Sequence, residues 1–121
     1  MSTVHLTART FEQAVRDNEI VLVDYWAPWS RASRIFAPVF EEAARRHPDI
    51  LFAKVDTDAQ PSVMLNARIT SIPTFVAHRA GVLVLSQVGA QRAAALEMLV
   101  EELRAGPRVN EPPSSSRQDA R

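Results

Sequence analysis

The sequence predicts a single α/β domain, a central mixed β-sheet flanked by helices on both faces. Three observations lead to that class. Apolar residues alternate along the chain between short continuous runs of strand length and stripes of period three to four. The early strand runs are separated by helical segments, whereas Thr74–Ala77 and Val82–Val88 are joined through Arg79-Ala80-Gly81, a link short enough to demand an antiparallel hairpin. With 121 residues, 46% of them hydrophobic, the chain can bury one core without covalent or metal staples.

The elements follow in order. Thr10 followed by Gln13 has the pattern of a capping box and opens a short helix running to about Asp17. Ile20-Val21-Leu22-Val23 contains no polar residue, as a strand covered on both faces requires. From Ser33 to Arg46, the residues Ile35, Phe36, Val39, Phe40, Ala43 and Ala44 draw a wide apolar stripe along a helix. Pro38 should kink that helix, because its ring nitrogen has no proton to donate. Leu51–Val55 reads as a second buried strand, and Pro61–Ala67 as a short helix with proline in its first turn. After the hairpin, Leu96, Leu99, Val100 and Leu103 mark the buried side of a last helix ending near Gly106. Beyond it come Pro107, Pro112, Pro113 and the run Ser114–Ser116, without apolar periodicity. The domain is therefore placed at residues 1–106, and residues 107–121 are expected to form a disordered Pro/Ser-rich tail.

Composition removes several function classes. Fourteen basic and fourteen acidic side chains leave a net charge of zero, which offers no electrostatic case for nucleic acid. The absence of cysteine excludes disulfides, thiolate nucleophiles and thiolate metal sites. The opening MSTVHLTART has no apolar leader, and no run approaches the roughly 20 residues of a membrane span. A soluble, cytoplasmic protein without membrane contact is expected. Three isolated histidines form no metal-ligand set, and only Gly81, Gly89 and Gly106 are present, so no phosphate-cradling loop exists. Neither a metal nor a cofactor is expected.

Four collinear segments carry a family resemblance: VDYWAPWSRASRIFAPVF (23–40), AKVDTD (53–58), SIPTF (71–75) and QVGA (87–90). Over about residues 5–105 the chain resembles the thioredoxins. The resemblance implies a thioredoxin-like fold and a relationship to protein-disulfide reductases, which work by thiol–disulfide exchange. The departure falls on that chemistry. Ser30 and Ser33 stand at the family's two cysteine positions, with Arg31 and Ala32 where the family has glycine and proline. Exchange needs a thiolate to attack and a second thiol to release the mixed disulfide. A helix N-terminus contributes at most about 2 kcal/mol, which matters to a thiol and is negligible for an aliphatic hydroxyl. The chain is therefore read as redox-inactive, either a Cys-to-Ser variant or a degenerate member. A substitution made only to trap a complex would have left the glycine and proline in place. The family's partner would be a thioredoxin reductase if cysteines were present.

Resemblance also assigns the remaining site residues. It makes Asp24 the family's buried acid, a proton carrier for the resolving thiol, with Lys54 beside it. Without thiols that role has nothing to act on, and the residues alone favour a wetted strand-end Asp24 paired with Lys54. Pro73 matches the family's cis-proline. Trp29, Ile72, Pro73 and the Val88-Gly89-Ala90 turn would then frame a groove that binds a protein or extended peptide through main-chain hydrogen bonds. Arg31 adds a cation to that surface, and Trp26 is assigned to structure. A hydrolase using Ser30 or Ser33 would need a histidine in reach. His47 should lie about 21 Å from Ser33 along the helix, His5 belongs to the N-terminal segment, and His78 follows a strand leading away from the site. The serines read better as helix caps.

Overall fold

The computed structural model describes residues 2–106; the expected tail, 107–121, lies outside the described residues. Five strands, β1 (Thr3–His5), β2 (Ile20–Trp26), β3 (Leu51–Asp56), β4 (Thr74–Arg79) and β5 (Val82–Val88), alternate with four helices, α1 (Phe11–Asp17), α2 (Arg31–Arg46), α3 (Pro61–Asn66) and α4 (Ala93–Ala105). The strands form one sheet of order β1-β3-β2-β4-β5. β1, β3 and β2 run parallel, while β4 and β5 are antiparallel to their neighbours. This is the mixed sheet that the apolar spacing predicts.

The lack of polar residues at the start of β2 has a direct cause. Side chains alternate across the pleat, and both faces are covered. Val21, Val23 and Tyr25 pack with Ala53, Val55, Val63 and Val76 on the face carrying α1 and α3. Ile20 and Leu22 pack with Phe36, Phe40, Phe52, Phe75, Leu96 and Val100 on the face carrying α2 and α4. Phe40 sits at the middle of that second layer, its ring 5.2 Å from Phe52, 5.6 Å from Phe36 and 6.4 Å from Phe75. β5 closes one edge of the sheet, with Val82, Leu83 and Val84 exposed.

Several boundaries differ from the sequence reading. β1 is only three residues long, too short to leave a periodic signal. β2 continues three residues past Val23 and carries Asp24 inside it. α2 begins at Arg31 rather than Ser33, and its buried stripe is narrower than expected, since Ile35 is 57% exposed. The capping box does not form. Thr10 Oγ1 accepts from the Thr7 N–H at 3.0 Å, and the Gln13 amide donates to Asp17 at 2.7 Å.

α3 ends at Asn66, one residue short of the expected limit. β4 extends to Arg79, so the hairpin turn is Ala80-Gly81 alone. Both residues have positive φ, 51° and 81°, as a two-residue turn matching the strand twist requires. Gly106, at φ 79°, ends α4 for a tighter reason: a Cβ there would lie 2.5 Å from Arg79 Nη1. That same nitrogen donates to the Leu103 carbonyl at 2.9 Å, and Arg79 Nε faces Glu19 at 3.5 Å.

Phe40 is fully buried against three other aromatic rings, so truncation leaves a cavity the layer cannot close. Phe40→Ala is expected to lower the unfolding free energy by about 3–5 kcal/mol in urea titration, with the denaturant slope unchanged.

Candidate functional site

Strand register gathers the site. Tyr25 pairs with Thr74, and Thr74 pairs with Val88. The segment leaving β2, the segment entering β4 and the turn leaving β5 therefore meet at one end of the sheet. The Gly89 N–H donates to the Pro73 carbonyl at 2.8 Å, which fixes that turn against the β4 entry. The Ile72–Pro73 peptide bond is cis, and Thr74 Oγ1 donates to the Ser71 carbonyl at 2.7 Å.

On the other side, Trp26 pairs with Asp56, and the Thr57 N–H donates to the Trp26 carbonyl at 2.9 Å. This brings the β3 exit beside Trp29. Trp29 is 66% exposed, and its indole Nε1 donates to Asp58 Oδ1 at 3.1 Å. Asp58 escaped the sequence analysis, although it is the last residue of AKVDTD; only the fold reveals that it orients the tryptophan.

Trp29, Ser30, Ser33, Ile72, Pro73, Val88, Gly89 and Ala90 are thus brought to the same end, and Arg31 stands exposed as the first residue of α2. Their accessibility is uneven. The Pro73 ring is buried, Ile72 is half-buried, and Val88 and Ala90 are exposed. Among the described residues, neither the N–H nor the C=O of Ile72 has a backbone hydrogen-bond partner.

The two serines are buried, and their oxygens already have work within the backbone. Ser30 is the N-cap of α2, and its Oγ accepts from the Ser33 N–H at 3.1 Å, satisfying one of the donors that the first helical turn leaves free. Ser33 Oγ accepts from the Ala27 N–H at 3.4 Å. Arg34 Nη1 donates to the Pro28 carbonyl at 3.0 Å and braces the same loop. No histidine serves either hydroxyl. His47 caps the far end of α2 and meets Glu97 at 2.8 Å, while the His5 and His78 rings lie edge-on to Trp26 and Phe11. Neither serine has the base that nucleophilic attack requires.

Asp24 corrects the expectation of a wetted strand end. It is fully buried inside β2, and neither carboxylate oxygen has a hydrogen-bond partner among the described residues. Its strand partners are Lys54 on β3 and Phe75 on β4. Lys54 makes no salt bridge to it; the ammonium lies 4.8 Å from the centroid of the Trp26 ring, a cation–π contact. On its own face of β2 Asp24 lies between Leu22 and Trp26, with Phe75 and Lys54 across on the neighbouring strands, yet no donor reaches hydrogen-bond distance of either oxygen. Burial pushes the carboxyl up from 3.8 to about 7, and the charge of Lys54 offsets only part of that.

Between about pH 4 and pH 7 the folded chain holds a proton on Asp24 that the unfolded chain has released, so stability falls as pH rises through that window. The distance from 3.8 to about 7 corresponds to on the order of 4 kcal/mol. Asp24→Asn has no charge to bury. Urea unfolding at a series of pH values should show the parent losing stability relative to this variant from about pH 4 to pH 7, and a constant difference would contradict the assignment.

The sequence model of the thioredoxin family matches residues 2–102. A Streptomyces coelicolor protein provisionally named thioredoxin 2 is 47% identical over 103 residues, covering 85% of this chain and 77% of its own. The thioredoxin of Alicyclobacillus acidocaldarius is 38% identical over 97 residues, covering 79% of this chain and 92% of its own. Among solved structures, a Plasmodium falciparum thioredoxin superposes with a TM-score of 0.77 at 33% identity, over 83% of this chain and 98% of that one. Sequence and structure agree: the chain belongs to the thioredoxin family, the disulfide-reductase kind, and has lost the paired cysteines of its redox centre.

Proposed function

We propose that this chain is a redox-silent thioredoxin that binds an extended segment of a partner protein at the sheet end framed by Trp29, Ile72, Pro73 and the Val88-Gly89-Ala90 turn. One observation carries the reading: Ser30 and Ser33 spend their hydroxyl oxygens on backbone N–H groups, while Trp29, Ile72, Pro73 and the Val88-Gly89-Ala90 turn still meet at that sheet end. Electron transfer between dithiols has no atoms to use here, whereas peptide binding needs none of the missing sulfur.

The binding step is strand addition. Ile72 leaves one backbone donor and one acceptor for an incoming extended chain. Pro73 has no N–H, and its carbonyl is already taken by Gly89, so pairing is confined to Ile72. Trp29 and Val88, both exposed, supply apolar contact on either side. An indole fixed by Asp58 loses less freedom on binding than a free one and suits a contact that dominates the affinity. Arg31 favours an acidic residue at the end of the peptide nearest α2. Asp24 and Lys54 take no part in this step. With no resolving thiol to serve, the buried acid remains as a cost to stability.

Two measurements test the reading. Insulin reduction in the presence of dithiothreitol should not exceed the no-protein control, and any excess would restore the enzymatic reading. Peptide arrays probed with the purified chain should return extended, apolar segments. Trp29→Ala should weaken their capture about tenfold or more, as loss of a central aromatic contact does. Unchanged capture by Trp29→Ala would place the binding surface elsewhere.

A further inference from the structure

β5 is the outermost strand of the sheet, and among the described residues no strand pairs with its outer edge. Its sequence, VLVLSQV, contains neither a charged residue nor a proline, the side chains that commonly keep an exposed edge from pairing. Of the large apolar side chains exposed among the described residues, four, Val82, Leu83, Val84 and Val88, stand on this one strand. A register shift opposite Ala77 and His78 leaves Val84 without a partner on β4 and confines regular pairing to Leu85–Val88. It also sets Val84 and Leu85 together on the side of the sheet that carries α4. There a groove of about 670 Å³ runs between strand and helix, walled by Val82, Val84, Leu85, Leu99 and Leu103. Edge and groove are continuous, and an apolar surface of this kind marks an interaction site.

The charges along α4 select the occupant. Leu99 and Glu102 line the groove, and Arg92 and Ala95, seven and four residues before Leu99, fall on the same side of the helix. α4 runs back along β5, from Arg92, four residues past Val88, to Glu102, beside Val82 and Val84. This side is therefore positive at one end and negative at the other, and among the described residues neither charge has an ion-pair partner. Such a polarity is complementary to its own reverse. A twofold axis normal to the sheet near Ser86 sets Leu85 opposite Gln87 of a second copy and Val84 opposite its Val88. Arg92 to Glu102 spans about 15 Å of helix, and Val84 to Val88 about 13 Å of strand. The same rotation thus brings Glu102 of each copy level with Arg92 of the other.

We propose that the β5 edge and the α4 groove form the interface of a homodimer, in which β5 pairs antiparallel with β5 of a second copy and Arg92 meets Glu102 across the twofold axis. The surface shares only Val88 with the peptide-binding end, and its test uses no peptide, so either reading can fail alone.

The experiment is sedimentation equilibrium of the full chain from about 5 μM to 1 mM, with backbone amide shifts followed by NMR over the same range. The chain should dimerise with a Kd of about 100 μM or tighter. The shifts should concentrate on β5 and on the groove side of α4. Val84→Lys places a charge on the half-exposed bulge and should weaken the dimer about tenfold or more. Glu102→Arg sets two cations together at both symmetry-related contacts and should weaken it about fivefold. Adding Arg92→Glu to Glu102→Arg should restore the parent Kd to within about twofold, which two independent surface changes would not do. Three results would each overturn the proposal. The first is a chain monomeric up to about 1 mM, which would leave the edge to a strand of a different protein. The second is a dimer whose shifts lie outside β5 and α4, and the third a double exchange no tighter than Glu102→Arg alone.

Discussion

Because β2 is hydrogen-bonded along both edges and covered on both faces, its register with β3 and β4 decides which loops meet at its end. A slip of one residue would turn Val21, Val23 and Tyr25 away from the α1/α3 layer and exchange them with Ile20, Leu22 and Asp24. The core forbids that slip. Trp29, Asp58, Ile72 and Gly89 come from four separate segments, and they stand together only because the strands behind them are locked in this alignment. The positioning of the site is thus a property of the core, and it survives the loss of the groups that once gave the site its chemistry.

How much of this could be read from the chain depends on whether each feature leaves a local signal. The mixed sheet and the antiparallel hairpin were legible because burial on two faces leaves runs such as Ile20–Val23 and a short link fixes strand direction. The burial of Asp24 is not legible, since a carboxylate within an apolar run looks too costly to bury alone; here the cost is met by raising its proton affinity instead of by pairing with Lys54. Ile35 fits the apolar stripe by helical spacing, but α2 presents a narrower face to the sheet. Thr10 and Gln13 match a cap pattern and find other partners nearby. β1 is too short to read, and its place beside β3 is a long-range fact. The contact between Trp29 and Asp58 spans twenty-nine positions and could be seen only in three dimensions.

The serines illustrate the difference between what a fold needs and what a reaction needs. A helix beginning at Arg31 needs an oxygen to receive its first free N–H groups, and Ser30 supplies one. Serine is among the best residues for that position. Serine at this position offers no thiolate yet keeps the helix start well capped, so the local fold stands without a nucleophile.

Arg79 has an effect beyond its own strand. Its guanidinium reaches the Leu103 carbonyl at the end of α4 and the Glu19 carboxylate just before β2, and Gly106 leaves the space it occupies. Three segments distant in the chain are buttoned together at one side chain, at the end of the sheet opposite Trp29. The hairpin cannot fray there without also releasing the final turn of the last helix, so both should open to solvent as one cooperative unit, and slow amide exchange would report a shared free energy for the pair.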